Sequence, residues 1–385
     1  MKPISLKQLA LVSMIALVSI FWIAGCVGAP PSAPDEAAGL PDGEREQSED
    51  THLDEQALPA MVAVELEDGQ RLQVVASTNI IADVVAQVGG DQIDLVGLIP
   101  VGADPHSFEP RPQDLVALNE AHVIFVNGLG LEEPLEPLLE NLDGDGVVVS
   151  VNTGVETRQL GDEETDHAHE EGDHADEGEH TDEAEHAEEE THAEAGDHAD
   201  AEHAHAHGDI DPHTWFSIDA VTKWVDNVET ALSALDPANA ATYADNAAAY
   251  RAELAALDAE LADQLAVLPV EQRKLVTDHD SLGYLADAYD FEVVGTVIPS
   301  LSTLAAPSAA QLALLQEQIR EEDAKAVFVG TTVNPNLAEQ LAADTGIAVV
   351  PIYTGSLSDP DGPAGSYVEF MRYAVAAIVE ALGGE

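Results

Sequence analysis

Three histidines in this chain of 385 residues stand where a cation could be held. His106 lies in IPVGADPHSFEPRP, just beyond an apolar run that reads as a strand. His213 lies in DIDPHTWFS, where an extended loop turns into a helix, and His279 lies in KLVTDHDSLGYLADAYDF, past a second strand and before a helix. Proline precedes the first two in an Asp-Pro-His triplet and stiffens the backbone that presents each ring. Neutral imidazole is a good ligand for zinc and other borderline cations, and three of them with one oxygen make a tetrahedral shell. His52 and His122 have no such placement and read as ordinary surface or core histidines.

Positioning these rings requires a scaffold. Apolar strands at 71–76, 93–99, 122–126 and 147–151 alternate with helical patterns at 80–88, 113–120 and 133–141. The alternation stops at Thr157 and returns after an acidic run, with a helix at 217–235 and a long alanine-rich helix at 237–267. Strands at 274–277, 292–296, 326–329 and 348–351 then interleave with helices at 282–288, 308–322, 336–345 and 367–382. Apolar strands separated by helices imply parallel sheets covered on both faces. The expected fold is therefore α/β: two lobes, each a mainly parallel sheet flanked by helices, joined by one long rigid helix. In such sheets ligands bind outside the carboxyl ends of the strands. His106 and His279 come from different lobes, so both rings can face one interlobe cleft. A helix of about 30 residues spans about 45 Å and resists bending, so only small lobe tilting is expected on metal release.

Charge narrows the function. The formal net charge is −61, from 74 acidic and 13 basic residues. Nothing basic is available to displace phosphate counterions, which argues against nucleic acid; attraction to cations is the natural consequence. Much of the excess is local, because no Lys or Arg occurs between Arg158 and Lys223. That segment cannot bury enough apolar surface to offset its ordering entropy and is expected to be disordered. It carries His167, His169, His174, His180, His186, His192, His198, His203, His205 and His207. Such tracts bind several divalent ions weakly, so an auxiliary role in gathering or sensing metal is expected, weakening below about pH 6 as imidazoles protonate. The alternative is a solvating surface insertion.

The amino terminus reads as an address. Lys2 and Lys7 precede an apolar run, Leu9 to Ile23, too short for a membrane span. It ends in Ile-Ala-Gly-Cys, which resembles a bacterial lipobox with Cys26 as the lipidated residue; the alternative is an ordinary signal peptide with a chance cysteine. Because Cys26 is the one cysteine, disulfides and cysteine-based zinc sites are excluded. The expected division is 1–25 signal peptide, 26–66 acidic Pro/Gly-rich tether, 67–235 N-terminal lobe with a disordered loop at 157–209, 236–269 connecting helix and 270–385 C-terminal lobe.

Together VASTNIIADVVAQVGGD, IPVGADPHSFEPRPQDL, DPHTWFSIDA, VTDHDSLGYLADAYDF and SLSDPDGPAGSYVEFMRY resemble the zinc/manganese solute-binding lipoproteins of bacterial ABC importers, over nearly everything from Leu72 to Leu382. The resemblance implies that His106 and His213 are ligands. It places His279 at a third position that is His in zinc proteins and Glu in manganese proteins, which favours Zn²⁺ over Mn²⁺, in agreement with ligand softness. Zinc-type members also carry a His-rich loop between the first two ligands. The chain departs from the family at the fourth ligand, where Gly355 stands in place of the usual Asp; Asp359 is the nearest replacement, with Asp361 or water as competitors. Asp104, Asp211 and Asp278 are expected to orient the imidazoles. The implied role is non-enzymatic: a membrane-anchored, extracytoplasmic monomer that captures zinc and passes it to an ABC permease and its ATPase. A zinc hydrolase is the second reading, disfavoured by the lack of His-Glu-x-x-His. A lipid-anchored zinc buffer or cell-adhesion protein without a transporter is the third.

Overall fold

The computed structural model describes residues 57–67, 69–159, 210–300, 303 and 305–383. Cys26, His52, tether residues 26–56 and all ten histidines of the acidic run lie outside the described residues. The expected tether ends before residue 66, because Leu58, Met61, Val64 and Leu66 pack against the main core and Val64 N–H donates to the Leu235 carbonyl at 2.8 Å.

The strands follow the apolar runs closely. The first half contains β1 (Leu72–Ala76), β2 (Ile93–Gly97), β3 (Val123–Val126) and β4 (Val147–Ser150). All pair in parallel in the order β2-β1-β3-β4. The second half repeats this plan with β5 (Lys274–Thr277), β6 (Glu292–Thr296), β7 (Ala326–Gly330) and β8 (Ala348–Ile352), ordered β6-β5-β7-β8. Each sheet therefore reverses direction of winding beside its first strand, between β1 and β3 and between β5 and β7. The carboxyl ends at those reversals open a crevice.

Helices α1 (Asn79–Gly89), α4 (Ile218–Leu235), α5 (Ala240–Leu265) and α9 (Tyr367–Leu382) fill the space between the sheets. One apolar core runs unbroken from Leu72 and Phe125 through Trp224, Leu254 and Phe370 to Leu275 and Phe328. Smaller cores lie on the outer face of each sheet, under α2 (Pro112–Glu120) and under α7 (Ala309–Glu321) with α8 (Asn336–Thr345). Burial of Tyr243, Ala247, Tyr250, Leu254, Leu257, Leu261 and Leu265 along one stripe of α5 explains why so alanine-rich a helix is fixed in place. Its 26 residues extend about 39 Å. Side-chain caps start α1 and α4: Thr78 accepts from the Ile81 N–H at 3.1 Å, and Ser217 accepts from the Ala220 N–H at 3.2 Å.

Two boundaries differ from the sequence expectation. The helix expected at 133–141 is a 3₁₀ turn, Glu133–Leu135, followed by a single turn α3 (Glu136–Leu139). Pro137 removes the amide donor that a continuous helix would use to pair with the Glu133 carbonyl, whereas Pro134 sits in the first turn, where no donor is needed. The long helix begins at Ala240 rather than Pro237, because Asp236 Oδ2 gathers Asn239 Nδ2 (2.7 Å) and the Tyr243 hydroxyl (2.9 Å) and holds the intervening residues in a turn.

Candidate metal centre

His279 follows β5 directly. Asp278 Oδ1 accepts from the His279 N–H at 2.8 Å and lies 2.9 Å from its ring Nδ1. Asp278 Oδ2 in turn accepts from the Gly330 amide at 2.8 Å, at the carboxyl end of β7. The reversal between β5 and β7 thus orients a carboxylate, and the carboxylate orients an imidazole.

His213 is held the same way from the other lobe. Asp211 Oδ1 accepts from the His213 N–H at 2.9 Å and sits 2.8 Å from Nδ1. The loop carrying it is tied down on several sides. Asn127 Nδ2 donates to the Pro212 carbonyl at 3.0 Å, Thr214 Oγ1 donates to Asn152 Oδ1 at 2.7 Å, and Trp215 Nε1 donates to the Thr354 carbonyl at 2.8 Å. His106 sits in a 3₁₀ turn, Pro105–Ser107, capped by Asp104, whose Oδ1 accepts the His106 N–H at 3.0 Å. Asp104 Oδ2 also accepts from Thr303 Oγ1, linking this loop to the second half of the chain.

The three rings converge. Ligand nitrogens of His106, His213 and His279 lie within 4.8 Å of one another, and their ring centroids are 5.1–5.8 Å apart. His106 Nε2 is 3.2 Å from His213 Nε2. A tetrahedral ion with metal–nitrogen bonds of about 2.0–2.1 Å separates its nitrogens by about 3.3–3.4 Å, so this spacing is close to one edge of such a shell. Carboxylates on Nδ1 of His213 and His279 fix the tautomer that leaves each Nε2 lone pair for a cation.

Electrostatics separate the rings. Burial, reinforced by the neighbouring His213 and His279, pushes the His106 pKa well below the usual histidine value. Burial also disfavours the charged form of His279, but the hydrogen bond to Asp278 and the charges of Asp278, Asp104 and Asp211 outweigh it and raise its pKa. Asp278→Asn is expected to weaken metal binding about 10–100-fold, because an amide cannot satisfy Gly330 N–H and His279 Nδ1–H as a carboxylate does. Competition with a chelator of known affinity measures this; a loss below about threefold would contradict the assigned role.

The structure does not bring Asp359 into the group. Asp359 and Asp361 are exposed, in a turn closed by Ser358 N–H to the Ala364 carbonyl (2.9 Å) and Gly362 N–H to the Asp359 carbonyl (2.7 Å). Both carboxylates are outside the group formed by the three rings. Gly355 itself lies against the His106 loop: a Cβ there would be 3.1 Å from Pro105 Cδ. His122 belongs to the opposite end of the sheet, where its Nδ1 accepts from the Gln73 amide at 2.8 Å. Sequence reading passed over Trp215, Tyr284 and Arg158 around the site; Arg158 alone had a visible signal, as the last base before the acidic run.

Residues 74–381 match the family described as zinc-uptake complex component A, periplasmic. The manganese-binding lipoprotein MntA of Halalkalibacterium halodurans is 30% identical over 82% of this chain and 90% of its own. The chain belongs to this family of metal-binding solute-binding proteins of ABC importers. The manganese ABC transporter substrate-binding lipoprotein PsaA of Streptococcus pneumoniae is 28% identical over 82% of this chain and 90% of that protein. Among solved structures, the periplasmic zinc-binding protein TroA of Treponema pallidum superposes with a TM-score of 0.66 at 26% identity, covering 82% of this chain and 99% of its own. The two-sheet fold of this family member is thus shared with proteins named for manganese and for zinc.

Proposed function

We propose that this family member captures Zn²⁺ between His106, His213 and His279 and delivers it to an ABC permease driven by its ATPase. The observation that carries zinc is the donor set: among the described residues, three imidazoles converge with no carboxylate among them, and imidazole suits zinc whereas manganese prefers oxygen. With Asp359 and Asp361 exposed, the fourth position falls to water. On this reading the metal is cargo and no reaction is performed on it. Residues 1–25 act as a signal and 26–56 as a tether from a lipidated Cys26, which holds a monomer outside the membrane; the acidic histidines between 157 and 209 gather metal beside the site.

Manganese is the second reading, favoured by its relatives MntA and PsaA, both named for manganese. Direct titration separates the two. Zinc is expected to bind one site more tightly than manganese and, at 100 times its dissociation constant, to stabilise the fold by about 2.7 kcal/mol. Tighter binding of manganese, or thermal stabilisation by manganese alone, would overturn the zinc reading.

A further inference from the structure

Arg158 stands at the root of the acidic run and touches both halves of the chain. Its Nη1 donates to Asp211 Oδ2 at 3.3 Å and to Asp280 Oδ2 at 3.4 Å, and its Nε donates to Asp287 Oδ2 at 3.2 Å. Asp211 carries His213 on its other oxygen. Asp280 is the neighbour of His279; Arg158 pairs with its Oδ2, while its Oδ1 is buried without a hydrogen-bond partner. The main chain repeats the link. Asp211 N–H donates to the Arg158 carbonyl at 2.9 Å, while the Tyr284 hydroxyl, on α6 (Gly283–Ala288), accepts from Arg158 N–H and donates to the Asp211 carbonyl, both at 2.9 Å. Room for the guanidinium comes from Gly283, where a Cβ would be 2.2 Å from Arg158 Nη1.

These contacts are unequal. Asp287 is 67% exposed, and a pair so open to water contributes little. The Asp211 side chain is fully buried, and Arg158 is the donor to its Oδ2. Without that donor a buried carboxylate keeps one oxygen unpaired, a state relieved by rotating away from His213. That rotation removes the acceptor that aligns the His213 ring.

We propose that Arg158 is a positioning residue of the metal centre, joining Asp211 to Asp280 so that His213 and His279, from opposite lobes, are held at the separation at which they share one ion. The proposal rests on the metal-binding reading above. Its consequence is kinetic: the clamp must open before the lobes part, so Arg158 sets how slowly bound metal leaves.

The test uses the full chain carrying Arg158→Gln, Arg158→Lys or Gly283→Ala. The slowest phase of zinc release into excess chelator and the visible absorption of the Co²⁺-loaded protein are recorded beside metal-free thermal unfolding. Arg158→Gln is expected to release zinc about 10–100-fold faster and to alter the Co²⁺ spectrum, with partial recovery in Arg158→Lys. Gly283→Ala is expected to shift both readouts the same way, because its methyl displaces the guanidinium while the charge remains. Wild-type release and an unaltered spectrum in Arg158→Gln would overturn the proposal, including when the metal-free protein is less stable, since that pattern marks a purely structural role. Should Arg158→Gln fail to fold, Gly283→Ala decides by the same readouts. Wild-type protein that binds no metal would overturn both this proposal and the function it rests on.

Discussion

His279→Ala is expected to abolish tight metal binding, weakening it by more than the roughly 100-fold that loss of an outer carboxylate can cause. His279 is the ring contributed by the second sheet, and its removal leaves two imidazoles from the first. Two nitrogens and water do not reproduce a three-imidazole site. The fold survives the change: Asp278 keeps the backbone N–H of residue 279 and that of Gly330, so the metal-free protein loses only about 1 kcal/mol. The same ring sets the pH response. Because its pKa is raised, a proton competes with the metal there, and affinity falls as pH decreases through that value. His106, whose pKa is pushed well down, stays neutral and contributes no such dependence. Titration calorimetry across pH, on wild type and variant, measures both effects. Wild-type affinity in His279→Ala would remove the centre of the functional argument.

Glu132→Ala is expected to cost the fold roughly 3–5 kcal/mol. Glu132 is 3% exposed and accepts from Ser77 Oγ, the Asn127 amide (2.7 Å) and the Gly128 amide (3.0 Å). Burial pushes its pKa up, while those donors pull it back. Three converging donors need an acceptor with no proton to spare, and alanine leaves all three buried and unpaired. Glutamine keeps one carbonyl oxygen but turns an amide NH₂ toward a donor, so Glu132→Gln falls between. The effect reaches the metal as well. Asn127, held by Glu132 through its amide, donates to the Pro212 carbonyl beside His213, so metal affinity drops along with stability. Urea denaturation of metal-free protein gives the first quantity and chelator competition the second. A stability loss under 1 kcal/mol for Glu132→Ala would show that the buried carboxylate is not what organises this end of the sheet.

Much of the scaffold was legible because its signals are local. Apolar runs such as Leu72–Ala76 and Ala326–Gly330 suit a strand buried on both faces, and the spacing along 240–265 suits a helix with one buried stripe. The three converging histidines were legible because each follows a strand or opens a helix, inside motifs that resemble those of known proteins. The proline-broken stretch at 133–139 was readable in principle: Pro137 was visible, and the apolar pattern outweighed it. Asp359 was misplaced for a different reason. Nearness in sequence to Gly355 said nothing about the turn from Ser358 to Ala364, on which Asp359 is exposed.

By itself the sequence determined which residues can bind a cation, the alternating α/β order and the strand-end loops that carry each histidine. These depend on residue type and short-range periodicity. Tertiary structure alone decided that nitrogens 66 to 173 residues apart along the chain meet within 4.8 Å, and that Arg158 spans the lobes. Those are distances between remote segments, set by how two sheets pack on one shared core, and no local pattern encodes them.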